Sequence, residues 1–111
     1  MAYDEELASR IRALIAGEPG LTEQKMFGGL AFLLNGNMSV AASGEGGIML
    51  RVDPDESSAL TESSSAVPVV MRGREMRGWL RVDSRDVRDD AELARWVELG
   101  VSFARSLPAK R

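Results

Sequence analysis

The spacing of apolar and polar residues changes period along the chain, and each change marks an element. Between residues 4 and 16, Leu7, Ile11, Leu14 and Ile15 fall at i, i+4, i+7 and i+8, one stripe of a helix. Asp4, Glu5 and Glu6 suit the positive end of its dipole, and Arg10 and Arg12 follow toward the negative end. Gly17-Glu18-Pro19-Gly20 stops it. Strands come next, at 29–34 and 38–42, flanking Asn35-Gly36, a dipeptide suited to a turn with φ > 0 at both central residues. Gly44-Glu45-Gly46-Gly47 then leads into 48–52, where Ile48, Leu50 and Val52 alternate with Met49 and Arg51. The expectation is an antiparallel meander of three strands, with a short fourth around 22–26 ahead of it. A strict two-residue turn sets Leu33 beside Met38 and Ala31 beside Val40 on one face, with Phe32 and Ser39 on the other. Which face meets the helices is left open by the pattern.

Asp53-Pro54-Asp55-Glu56 is a helix start, with Asp53 as N-cap, Pro54 at the first position and Glu56 at the third. That helix is expected to be short, because Thr61-Glu62-Ser63-Ser64-Ser65 reads as loop. Two more strands are expected at 68–72 and 78–83, joined by Gly73 to Arg77. Asp89-Asp90-Ala91-Glu92 caps a last helix. Its stripe is Leu93, Trp96, Val97, Gly100, Val101, Ala104 and Leu107, and Pro108 ends it before a polar tail of three residues. The resulting fold class is α+β, a two-layer arrangement in which an antiparallel sheet is covered on one face by helices. The order is one helix, three or four strands, a helix, two strands and a helix.

Composition narrows the function. A length of 111 residues favours a single domain over 1–111, large enough to bury a core. No apolar run approaches a membrane span, and the acidic N-terminus is unlike a secretory signal, so the cytoplasm is the expected compartment and no membrane partner is expected. The chain has no Cys and no His. Thiol nucleophiles, Cys/His metal sites, Ser-His-Asp relays and the usual neutral-pH proton shuttle are therefore excluded. An enzyme would have to use carboxylates, Lys, Tyr, Ser or Arg, or an oxygen-ligated metal. The paired acids Glu5-Glu6, Asp55-Glu56 and Asp89-Asp90 all stand at helix starts, which explains them as capping groups. Ser63 to Ser65 lack a base, and neither Tyr3 nor Lys25 has a visible partner. The expectation is a non-enzyme with no catalytic residue, no metal and no cofactor.

Two stretches need weighing as sites. Met26-Phe27-Gly28-Gly29 precedes an apolar run, the place to look for a phosphate-cradling loop. Such a loop works from the N-terminus of a following helix, whereas here a strand follows, and no G-x-x-x-x-G-K-[ST] pattern is present. Gly28 and Gly29 are read as a bend, like Asn35 and Gly36, with Met26 and Phe27 in the core. The other stretch runs from Arg72 to Arg88, with six arginines and three acids, a local charge of +3 in a chain of −3. Arg72, Arg74, Arg77, Trp79 and Arg81 are the candidate residues for binding a partner or a phosphate. They could meet an acidic protein surface with Trp79 or Met76 as anchors, or hold nucleic acid with Trp79 stacked on a base. They could equally be solvated, paired with Asp83, Asp86 and the acidic helix starts, with Trp79 in the core. Both accounts stay open, although a sequence pI of about 5.0 disfavours a polyanion. A homodimer through a sheet edge or the last helix is compatible with the same pattern.

The sequence resembles the N-terminal domain of the TfoX/Sxy family. The residues that carry the resemblance are Lys25 to Phe32, then Asn35-Gly36-Asn37-Met38, Leu50-Arg51-Val52-Asp53, Met76-Arg77-Gly78-Trp79 and the final helix with Trp96. It implies a small α+β domain with a secretion-chaperone-like arrangement of sheet and helices. It also implies a regulatory role linked to natural competence, in which long members act as transcriptional co-activators with a cyclic-AMP receptor protein. No catalytic residues come with it, and its glycines map to Gly28 and Gly29. The long members carry a second, C-terminal domain, whereas this sequence resembles a stand-alone first domain. Its arginine-rich stretch before Trp79 is unlike the more aromatic segment expected of the long members.

Overall fold

The acidic start and apolar stripe form helix α1 (Glu5–Ile15) in the computed structural model, which describes residues 3–26 and 28–108. The Asp4 carboxylate accepts from the backbone N–H groups of Glu6 and Leu7 at 2.9 and 3.1 Å, satisfying two donors that the first turn leaves free. The buried arc runs from Leu7 through Ile11 and Ile15 to Ala8. Leu14, expected in the stripe, falls just outside that arc and is 46% exposed.

The strands are β1 (Leu21–Met26), β2 (Gly29–Leu34), β3 (Asn37–Ala42), β4 (Ile48–Arg51), β5 (Val67–Met71) and β6 (Arg74–Val82). Helix α2 (Pro54–Ser63) separates β4 from β5. A 3-10 turn (Ser84–Val87) and helix α3 (Asp90–Ser106) follow β6. The six strands form one antiparallel sheet in the order β1-β2-β3-β4-β6-β5, so the fold is α+β and β1 and β5 are its edges. Phe32, Val40, Leu50 and Leu80 on the sheet pack with Ile11 and Ile15 of α1 and Leu93 and Trp96 of α3. Each such side chain contributes roughly 1.5–3 kcal/mol by leaving water. The face carrying Phe32 is therefore the one that meets the helices. The opposite face holds a second buried cluster of Ala31, Leu33, Met38, Ala41, Met49 and Val69. Strands β2 and β3 are in consequence buried at every position.

The turn at Asn35-Gly36 forms as expected, with both residues at positive φ (53° and 85°). The strict register does not extend beyond it. Leu33 pairs with Met38, but Phe32 then pairs with Val40 and Ala31 with Ala41, with the shift between Phe32 and Leu33. Ser39 is the extra residue of a β-bulge, and its buried hydroxyl donates to the Phe32 carbonyl at 2.8 Å. The bulge swings Val40 to the helix-facing side, where an uninterrupted ladder would have set it opposite Ala31.

Met26 pairs with Gly29 across the bend that joins β1 to β2. Gly28 has φ 76°, and a Cβ on Gly29 would overlap the Ala42 carbonyl oxygen, so both glycines are required by the backbone. Phe27, expected in the core, lies outside the described residues, as does the C-terminal tail. The α2 helix is longer than expected. Asp53 caps it, accepting from the Asp55 N–H at 2.9 Å, but Thr61 to Ser63 are helical rather than loop. Thr61 and Ser64 donate their hydroxyls back to the carbonyls of Ser58 and Leu60, which keeps these polar side chains compatible with the last turn.

Candidate functional site

Of the stretch Gly73 to Arg77, expected as the connector before a strand at 78–83, Arg74 to Arg77 already belong to the strand. The turn is only Arg72-Gly73, both at positive φ (53° and 76°), and β6 begins at Arg74. Farther along, Pro68 pairs with Leu80 while Val69 pairs with Met76, so Arg77, Gly78 and Trp79 bow out of the β5 ladder. The bow still contacts the rest of the sheet, because the Gly78 carbonyl accepts from the Val52 N–H at 2.7 Å. Between it and α2 lies a hollow of about 280 Å³ lined by Ser57, Thr61, Pro68, Met76 and Trp79 among others.

The five residues singled out by sequence are dispersed along this hairpin. Arg77 pairs with Asp55 at the start of α2 at 2.8 Å, and Arg81 with Glu45 at 2.7 Å. Among the described residues the other ion pairs are Arg10–Asp90, Arg12–Glu23, Arg95–Glu92 and Arg105–Glu18. Pairs this exposed contribute about 0–1 kcal/mol each and chiefly hold side chains in place. Among the described residues, no carboxylate pairs with Arg72 or Arg74, both exposed at the hairpin tip. Asp83 instead caps the 3-10 turn, accepting from the Arg85 N–H at 3.1 Å.

Trp79 is half-buried against the second cluster, and one face of its ring is covered by a cation. The Arg51 guanidinium lies 5.5 Å from the Trp79 ring centroid and 5.4 Å from that of Phe103 on α3. A cation between two rings in this way contributes roughly 0.5–2 kcal/mol per contact. Sequence reasoning passed over Arg51 and Phe103. The link between Arg51 and Trp79 exists only through their pairing across β4 and β6.

Four large apolar side chains are exposed among the described residues, and three of them, Val67 (53%), Val70 (60%) and Met76 (37%), belong to this hairpin. Unpaired positive charge and exposed apolar surface thus coincide on β5 and β6 and at the turn between them.

The family model of the TfoX N-terminal domain matches residues 13–104. The chain belongs to the TfoX N-terminal domain family. In this TfoX N-terminal domain the matched span runs from the last turn of α1 to the last turn of α3 and takes in the whole sheet, the hairpin included. No curated protein and no solved structure matched the chain. Among the described residues, no helix is long and apolar enough to cross a membrane.

Proposed function

We propose that this TfoX N-terminal domain is a non-enzymatic regulatory or adaptor module that binds a protein partner through the β5–β6 hairpin, in transcriptional control of the competence type. The observation that carries the reading is the coincidence of Arg72 and Arg74, without carboxylate partners among the described residues, with exposed Val67, Val70 and Met76. Protein contacts draw most of their energy from a few such arginine and apolar anchors. Family membership supports the regulatory setting, and the Arg51 guanidinium over one face of Trp79 leaves less of that ring for a base, which favours a protein over a nucleic acid.

The test is capture of partners from the cell's own lysate on immobilised domain, with and without nuclease, beside the Arg72→Glu, Arg74→Glu variant. A nuclease-resistant protein lost in the variant is the expected result. A partner retained by the variant refutes the site. Nucleic acid retained only without nuclease refutes the protein partner and makes the hairpin a phosphate contact whose affinity falls with salt.

A further inference from the structure

We infer that the β5 edge takes a second copy of this chain, paired strand to strand about a two-fold axis at Val70. The inference rests on the reading of the hairpin as a contact surface and names an occupant for its rim. The two edges of the sheet are unlike. The β1 edge carries Glu23 and Lys25, charges of the kind that discourage strand addition, while β5 reads Val-Pro-Val-Val-Met with Pro68 as its one guard. The turn fixes which backbone groups are free. Met71 and Arg74 flank a two-residue turn and form a hydrogen-bonded pair, so Val70, opposite Glu75, is in a non-hydrogen-bonded pair. Val70 therefore points its N–H and C=O away from β6, and Pro68 its C=O.

Antiparallel pairing of Val70 with Val70 of a second copy closes a ring of two hydrogen bonds and brings two valines, each 60% exposed, into contact across the axis. The same register sets Arg72 opposite Pro68 of the second copy. Pro68 shares a hollow with Thr61 at the end of α2, whose last turn contains Glu62 and no basic residue. Arg77 lines the same hollow but is paired with Asp55 at the start of α2, so Arg72 of the other copy adds a cation at the negative end of that helix. The tip also approaches the start of β5, where Val67 and Ser65 share a hollow with Asp83, Asp86 and Arg85 and with the paired Glu45 and Arg81. The two-fold brings these unlike ends together twice, so the surface is self-complementary, as an isologous contact requires. Pro68 limits the ladder to a few bonds, which makes the dimer reversible.

Sedimentation equilibrium from about 10 µM to about 1 mM reads the association directly. The expected result is a mass rising with concentration from 12.1 kDa toward twice that value. Val70→Asp sets two carboxylates against each other and is expected to raise the dissociation constant more than about tenfold, with an unchanged circular dichroism spectrum. Arg72→Glu is expected to weaken association, and Glu62→Arg added to it to restore it. A monomer at every concentration overturns the inference, and so does a dimer indifferent to Val70→Asp and Arg72→Glu. If the domain stays monomeric but the Arg72→Glu, Arg74→Glu variant still loses a captured protein, the second copy is refuted while the hairpin remains the contact surface.

Discussion

Replacing Gly100 with alanine tests how closely α3 rests on the bulged strand. On an exposed helix this change stabilises by about 1 kcal/mol, because glycine loses more backbone freedom on folding than alanine. Here the added Cβ would stand 3.0 Å from the Ser39 carbonyl carbon, nearer still to its oxygen, and 3.7 Å from the Leu50 Cβ. The obstacle is backbone and cannot rotate aside, so α3 must retreat by on the order of 0.5–1 Å, enough to forfeit a quarter to a half of the dispersion attraction across the gap. Overpacking of this kind costs about 1–3 kcal/mol. Taking the upper end, because the bulge is held by the Ser39 hydrogen bond to Phe32, and subtracting the propensity gain leaves a net loss of about 2 kcal/mol. At about 4 °C per kcal/mol for a chain of this size, the melting temperature should fall by about 8 °C. Thermal and urea unfolding followed by circular dichroism measure the change. A variant that melts at or above the parent temperature refutes the close approach of α3 to Ser39.

Other expectations follow from single contacts. Ile11→Ala, at a fully buried position, should cost about 2–5 kcal/mol in urea unfolding, whereas Leu14→Gln should stay within about 0.5 kcal/mol; equal losses would show that both line the core. Ser39→Ala leaves the buried Phe32 carbonyl without that donor and should cost about 1–3 kcal/mol, and a neutral result would remove the hydroxyl from the account of the bulge. The hydrogen bond from Arg12, followed by its charge, holds the Glu23 carboxyl below the ordinary glutamate range, against a desolvation effect in the other direction. A value lowered by folding stabilises above the unfolded value and ceases to do so as pH falls through the folded one. Glu23→Gln should therefore be less stable than the parent at pH 7, with the difference closing as the pH drops below the carboxylate range. A difference that persists in acid would show that the pair acts by something other than charge.

The sequence was most legible where one residue type serves one backbone need. Asn35-Gly36 marked its turn, and Asp53 and Asp89 marked two helix starts, because side-chain oxygens satisfy free N–H groups there; Asp4, read only as a charge favoured by the helix dipole, proves to be a cap as well. It was least legible where tertiary contacts override local preference. Nothing in Ser39 distinguishes a bulge residue from an ordinary strand residue, so Val40 was set opposite the wrong neighbour. Arginine is an unusual residue for a positive-φ turn position, which hid the two-residue turn at Arg72-Gly73 and made a strand look like a connector. Thr61 and Ser63 read as loop by composition, yet they lie within α2. At the candidate site the arginines were visible as types, but their partners were not. Asp55 lies 22 residues from Arg77 and Glu45 lies 36 from Arg81, and only the fold decides that these two are paired while no carboxylate partner of Arg72 or Arg74 is found among the described residues.

Whether the β5–β6 hairpin is where this domain meets another protein can be read from hydrogen–deuterium exchange of the domain alone and in complex with its captured partner. The expected result is slowed exchange at Val67, Val70 and Arg72 to Arg77, with α1 unchanged. Protection confined to α1 or to the outer face of α3, with the hairpin exchanging as it does in the free domain, would contradict it.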